Sequence, residues 1–197
     1  MLGLASCFEP DQRNRGSGIL TLIISDYLAC YQQRRESPRR LAVLFVPRML
    51  VNAELHATAL LRTAYGGPRF LLSFWRSVLI ALHSIDIMPD VEIGPGLRLP
   101  HPHGITFGWA AVIGSDVTIY HNVTIGGLAH PSHLKADMSA RRPQPRELPC
   151  PRIENEVVIY TASLVVGPIT LGRGAIVGAG SWLDHDLEPG AMHRGRA

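Results

Sequence analysis

Between Ser17 and Ser84 the apolar residues recur at helical spacing: Leu20, Ile23, Ile24, Tyr27 and Leu28 fall on one face, and Tyr31 follows one turn later. Ser37-Pro38 marks a helix start, Pro47 a kink or a break, and Gly66-Gly67-Pro68 a stop. The pattern predicts roughly three or four helices. Past Ser84 the period changes. Aliphatic residues recur every six positions at Ile87, Ile93, Leu99 and Ile105, and after a two-residue slip again at Ile113, Ile119 and Ile125. A loop at 128–152 interrupts the series, which resumes through Ile153, Ile159, Val165, Leu171, Val177 and Leu183. Glycine often follows the aliphatic residue, as at Gly94, Gly114, Gly126, Gly172 and Gly178. The physical reading is a coil of flat six-residue faces with the key aliphatics stacked inward. Three faces close one coil, and about four coils form a solenoid with a narrow continuous core.

Composition narrows the class. Apolar residues make up 46% of the chain and charged residues 18%, which fits a folded protein rather than a disordered one. Asp26, Pro47 with Arg48, and Arg76 interrupt the apolar runs, so no membrane insertion is expected. Glu9 and Asp11 lie in a first segment without an apolar stretch, which excludes an ordinary secretory signal. Cys7, Cys30 and Cys150 lack metal-ligand spacing and read as free thiols of a cytoplasmic protein. The net charge is +3, with Lys135, Arg141, Arg142, Arg146 and Arg152 concentrated in the loop. Such a segment either attracts an anionic cofactor or is a solvated loop. No nucleic-acid partner is expected.

Three stretches carry a resemblance: Ile93-Gly94-Pro95-Gly96, Leu99-Pro100-His101-Pro102-His103-Gly104-Ile105, and Val123-Thr124-Ile125-Gly126-Gly127. They resemble the serine acetyltransferase branch of the hexapeptide-repeat acyltransferases. The resemblance implies a left-handed parallel β-helix at 85–190, with an insertion at 128–152. A flexible segment at 1–16 and an α-helical region at 17–84 would precede it, and a truncated tail at 191–197 would follow. It also implies acetyl-CoA as donor, a small-molecule hydroxyl as acceptor, a homotrimer, and no metal.

Acyl transfer from a thioester needs a base for the hydroxyl proton and donors for the oxyanion. By the resemblance the base is His101 and its orienting carboxylate Asp86, from Asp86-Ile87-Met88-Pro89 and Leu99-Pro100-His101. Their spacing is close to one coil, which would put both near one corner. The blander readings are a corner histidine held by backbone hydrogen bonds and a cap at the helix–solenoid junction. Gly126, Gly127, Gly178 and Ala179 are candidates for the cofactor, and His103, Cys150 and Arg152 for the acceptor. Where the family carries an aspartate before the base and an Arg-His pair after the loop, this chain has Pro100 and Pro149-Cys150. Serine would therefore lose expected partners, and a sugar or other hydroxyl becomes the alternative acceptor. Two further readings stay open: a γ-type carbonic anhydrase using His101, His121 and His130, and a scaffold without catalysis. No Gly-x-Ser-x-Gly elbow or other nucleophile motif suggests an acyl-enzyme.

Overall fold

A computed structural model describes residues 18–31, 36–88, 91–127 and 150–195. The expected segment at 1–16, residues 128–149 of the insertion and residues 196–197 lie outside the described residues. Among the described residues four α-helices come first: α1 (Ile19–Tyr31), α2 (Pro38–Val51), α3 (Ala53–Gly66) and, after a 3₁₀ turn at Arg69–Leu71, α4 (Leu72–His83). Ser37 caps α2 through its hydroxyl oxygen, which accepts from the Arg40 amide, and Asn52 caps α3 through its side-chain amide oxygen, which accepts from the Glu54 amide. Pro47 does not break α2, which runs on to Val51. No helix among the described residues is long and apolar enough to cross a membrane.

The solenoid has three parallel sheets, one per side of the coil. The first is β1 (Asp86–Ile87), β3 (Thr106–Phe107), β6 (Thr124–Gly126), β9 (Leu164–Val166) and β12 (Trp182–Leu183). The second is β2 (Glu92–Ile93), β4 (Val112–Ile113), β7 (Arg152–Ile153) and β10 (Thr170–Leu171). The third is β5 (Thr118–Ile119), β8 (Val158–Ile159), β11 (Ile176–Val177) and β13 (Met192–His193), extended downward by an Arg98–Thr118 bridge. Each two-residue strand points its second side chain inward, so Ile87, Phe107, Ile125, Val165 and Leu183 form one fully buried column.

The register corrects one expectation. Asp86 pairs with Thr106 and Arg98 bridges Thr118, each two residues more than the eighteen between Thr106 and Thr124. The slip therefore lies before Phe107, not after Ile105. Phe107 takes the inward position, and the enlarged corner is the Pro100–Gly104 turn.

The helices share the solenoid's core: Ala57, Leu61, Ala64 and Leu79 belong to one buried cluster with the inward columns. A buried ion pair fixes this joint. Arg62 makes a bidentate contact with Asp26 of α1 at 2.9 Å through both Nε and Nη2, and donates to the carbonyl oxygens of Ile93 (2.8 Å) and Gly94 (2.6 Å). The Leu97 amide donates to Asp26. Every polar atom taken from water here is matched, as a buried pair requires.

Candidate active site

The corner between the third sheet and the first is a vertical ladder. Ser84, Gly104, Asn122, Ala162 and Gly180 all adopt positive φ there. The amides of Gly104, Asn122, Ala162 and Gly180 donate to the carbonyls of His83, His103, His121 and Thr161 in the coil below. This register stacks His83, His103, His121, Thr161 and Ala179 in one column. His103 and His121 thus occupy equivalent places in successive rungs, with His83 of α4 directly below them.

His101 lies in the same corner, in the turn that carries the two extra residues. Pro100 and Pro102 flank it; a proline fixes its own φ and holds the residue before it extended. The His103 amide closes the turn by donating to the His101 carbonyl at 2.8 Å. The His101 side chain is exposed. Its ring stands edge-on to His121, centroids 5.7 Å apart, and 6.4 Å from Tyr120. Tyr120 in turn stacks on Tyr160 of the next coil, at 5.0 Å and 16°.

Below this turn lies a contact that sequence reasoning missed. His83, the last residue of α4, is buried, and its Nε2 is 2.9 Å from Nδ1 of His56. One of these two ring nitrogens donates and the other accepts. Burial holds His83 below the usual histidine range, assisted by His56 and His103 and opposed by the nearby Pro102 backbone.

The predicted Asp86–His101 pair is not assembled: among the described residues no hydrogen bond joins them. Arg76 of α4 takes both Asp86 oxygens, Nε to Oδ1 at 2.6 Å and Nη2 to Oδ2 at 3.0 Å. That bond is the first cause of a carboxyl held below its ordinary range. In this geometry Asp86 ties α4 to the first coil, which is the junction role.

The other candidates divide between two edges of the prism. His103, Gly178 and Ala179 share the His101 corner. Gly178 has a packing reason of its own, since a Cβ there would come within 2.9 Å of the Gly195 nitrogen. Gly126, Gly127, Cys150 and Arg152 lie at the next corner, where the described chain leaves and rejoins the coil. A Cβ on Gly126 would meet nothing within 4 Å, so space beside that backbone is open. Cys150 is half-buried and its thiol is pushed up by burial, which disfavours the reactive thiolate. Arg152 opens β7, paired with Val112 and Thr170. Pro149, His130 and His133 lie outside the described residues, and among the described residues no group of three or more His, Cys, Asp or Glu is placed to hold a metal ion.

No family model matches the chain. It is 33% identical over 147 residues to a putative serine acetyltransferase of Schizosaccharomyces pombe, covering 71% of this chain and 48% of that protein. It is 31% identical over 147 residues to a serine acetyltransferase of Bacillus licheniformis, covering 73% and 62%. The soybean serine acetyltransferase complexed with serine superposes with a TM-score of 0.68 at 28% identity, over 91% of this chain and 68% of that one. The chain spans less than two thirds of the length of the two curated relatives. A three-sided parallel coil with these likenesses is the left-handed β-helix of the hexapeptide-repeat acyltransferases. Within that family this chain is a serine acetyltransferase-like member.

Proposed function

We propose that the chain is an acetyl-CoA-dependent O-acetyltransferase, with L-serine or a related small molecule as acceptor and His101 as general base. The observation that carries this is the placement of His101: an exposed imidazole between two prolines, at the enlarged corner, braced from below by His83. The acceptor oxygen attacks the thioester carbonyl as its proton passes to His101. The tetrahedral oxyanion then collapses, the C–S bond breaks, and His101 returns the proton to the CoA thiolate. No acyl-enzyme is needed, consistent with the raised Cys150 thiol. The open backbone beside Gly126, with Gly127 next to it, is read as the place of the thioester carbonyl, where it would receive amide hydrogen bonds, and Ala179 with Gly178 as the place of the pantetheine end of the donor. His103, Cys150 and Arg152 are read as acceptor contacts. Asp86 would serve as orienting carboxylate only after leaving Arg76. The chain is read as cytoplasmic, with Cys30 and Cys150 as reduced cysteines outside any disulfide.

Because the candidates lie on two edges of one prism, the reading includes a homotrimer in which the His101 edge of one copy faces the Gly126 edge of the next. A second acceptor class has its own support. Pro100 offers an amino acid's ammonium no anion, and Tyr160, 40% exposed on its stack with Tyr120, presents an aromatic surface suited to a sugar ring. The test is an acceptor screen with acetyl-CoA, reading release of free CoA thiol. Turnover with L-serine supports the first acceptor, and turnover with glycosides alone supports the second. Absence of thiol release with every acceptor of both classes removes the acetyltransferase reading.

A further inference from the structure

His121 carries an unexplained atom. Its Nδ1 is buried and has no hydrogen-bond partner, alone in this respect among the described side chains. A buried ring nitrogen without a donor is unfavourable and marks a place where a partner belongs. A candidate partner is the neighbouring ring of His101, edge-on at 81° with centroids 5.7 Å apart. The same molecule calibrates that distance: His56 and His83 have centroids 5.1 Å apart when their nitrogens are 2.9 Å apart. An approach of the exposed His101 ring to the separation and tilt of that pair would bring the two rings within hydrogen-bonding range. His121 is itself held firm, its carbonyl accepting from the Ala162 amide (3.1 Å) and the Thr161 hydroxyl (3.0 Å). The other candidate for orienting His101, Asp86, has both oxygens on Arg76.

We propose that His121 is the positioning residue for His101: its Nδ1 accepts one ring N–H of His101 and leaves the other His101 nitrogen to take the acceptor's proton. The inference rests on the acetyltransferase reading for its catalytic consequence, but not for the hydrogen bond itself. A neutral His121 with its proton on Nε2 supplies the acceptor, and the bond strengthens when His101 becomes imidazolium. His121 touches no reacting atom; it fixes the tautomer and direction of the base, as a carboxylate does in a hydrolytic triad.

The experiment compares wild type with His121→Phe, which keeps a ring without an acceptor, His121→Gln, which keeps an acceptor, and Asp86→Asn. The kinetic expectation is that His121→Phe lowers kcat by about 10- to 100-fold with KM for acetyl-CoA unchanged, while His121→Gln recovers most of the loss. The spectroscopic readout is ¹⁵N NMR of the histidine rings in the protein without substrates. The expectation is a through-bond N–N coupling between His101 and His121, and one His101 tautomer in wild type and Asp86→Asn but a mixture in His121→Phe. If His121→Phe fails to fold, the wild-type coupling and the His121→Gln kinetics decide. Wild-type kcat in His121→Phe, absence of the coupling, or a tautomer mixture in Asp86→Asn alone would each overturn the proposal. An enzyme inactive toward every acceptor but showing the coupling would sink the acetyltransferase reading and leave the His101–His121 bond standing.

Discussion

His101 gains its setting from neighbours that contribute no chemistry. Pro102 holds it extended, Pro100 stiffens the approach, and the side chain is left pointing outward where a corner histidine satisfied by backbone would be tucked in. That difference favours a base over a structural histidine. General-base assistance is typically worth about 10²- to 10⁴-fold, so His101→Ala is expected to lower kcat by that factor with little change in acetyl-CoA affinity. Cys150→Ala is expected to keep most activity, because its thiol is raised by burial. An acetylated Cys150 trapped by mass spectrometry, with His101→Ala still turning over, would instead demand a covalent route. His101 was readable in the sequence because a motif carries it. Arg76 was not: it lies on a helix and reaches Asp86 only because α4 ends against the first coil. The His56–His83 contact was equally unreadable, since only the packing of α3 against α4 makes it, and the His121–His101 contact was too, since only the coil register stacks one rung on another.

The elements show why the period was legible and its slip was not. Inward positions select apolar residues, so a count of aliphatics every six residues finds the coils. At the enlarged corner both Ile105 and Phe107 are fully buried, and a count restricted to aliphatics assigns the inward place to the wrong one. The corner's lower edge depends on α4 through His83, and this makes the junction sensitive to pH. The folded state holds His83 below the ordinary value of about 6.5. Between the folded and unfolded values the unfolded chain binds more protons, so stability rises with pH across that window. The contribution is therefore fully present above pH 6.5 and lost as pH falls through the folded value. Thermal unfolding from pH 7.5 to pH 5 is expected to show a falling Tm in wild type and a shallower fall in His83→Gln. Equal slopes in the two proteins would mean that His83 is not the group responsible.

At the scale of the whole molecule the candidate site is divided, and the division argues for assembly. The His101 corner and the Gly126 corner are separate edges of one prism, whereas a single transfer reaction needs base and oxyanion donors within reach of one carbonyl. The sheets flanking the His101 edge also carry apolar side chains outward, including Trp182 (61% exposed) and Met192 (56%). A threefold arrangement of parallel prisms covers such surfaces and brings unlike edges together. Light scattering at micromolar concentration is expected to give a trimer mass, and a monomer would remove the shared cleft. Complementation tests the geometry more sharply. Gly126→Val fills open space rather than colliding with the coil, so it is expected to fold, to assemble and to block the cleft from its own edge. His101→Ala disables the opposite edge. In randomly mixed trimers a cleft escapes both lesions when the copy giving the base carries only the Gly126 change and its neighbour only the His101 change, about one cleft in four. Co-refolding the two inactive variants at equal ratio is therefore expected to restore roughly a quarter of wild-type activity. Restoration absent from verified mixed trimers would mean that each cleft is built within one chain, and that base and donor come together by a route other than assembly.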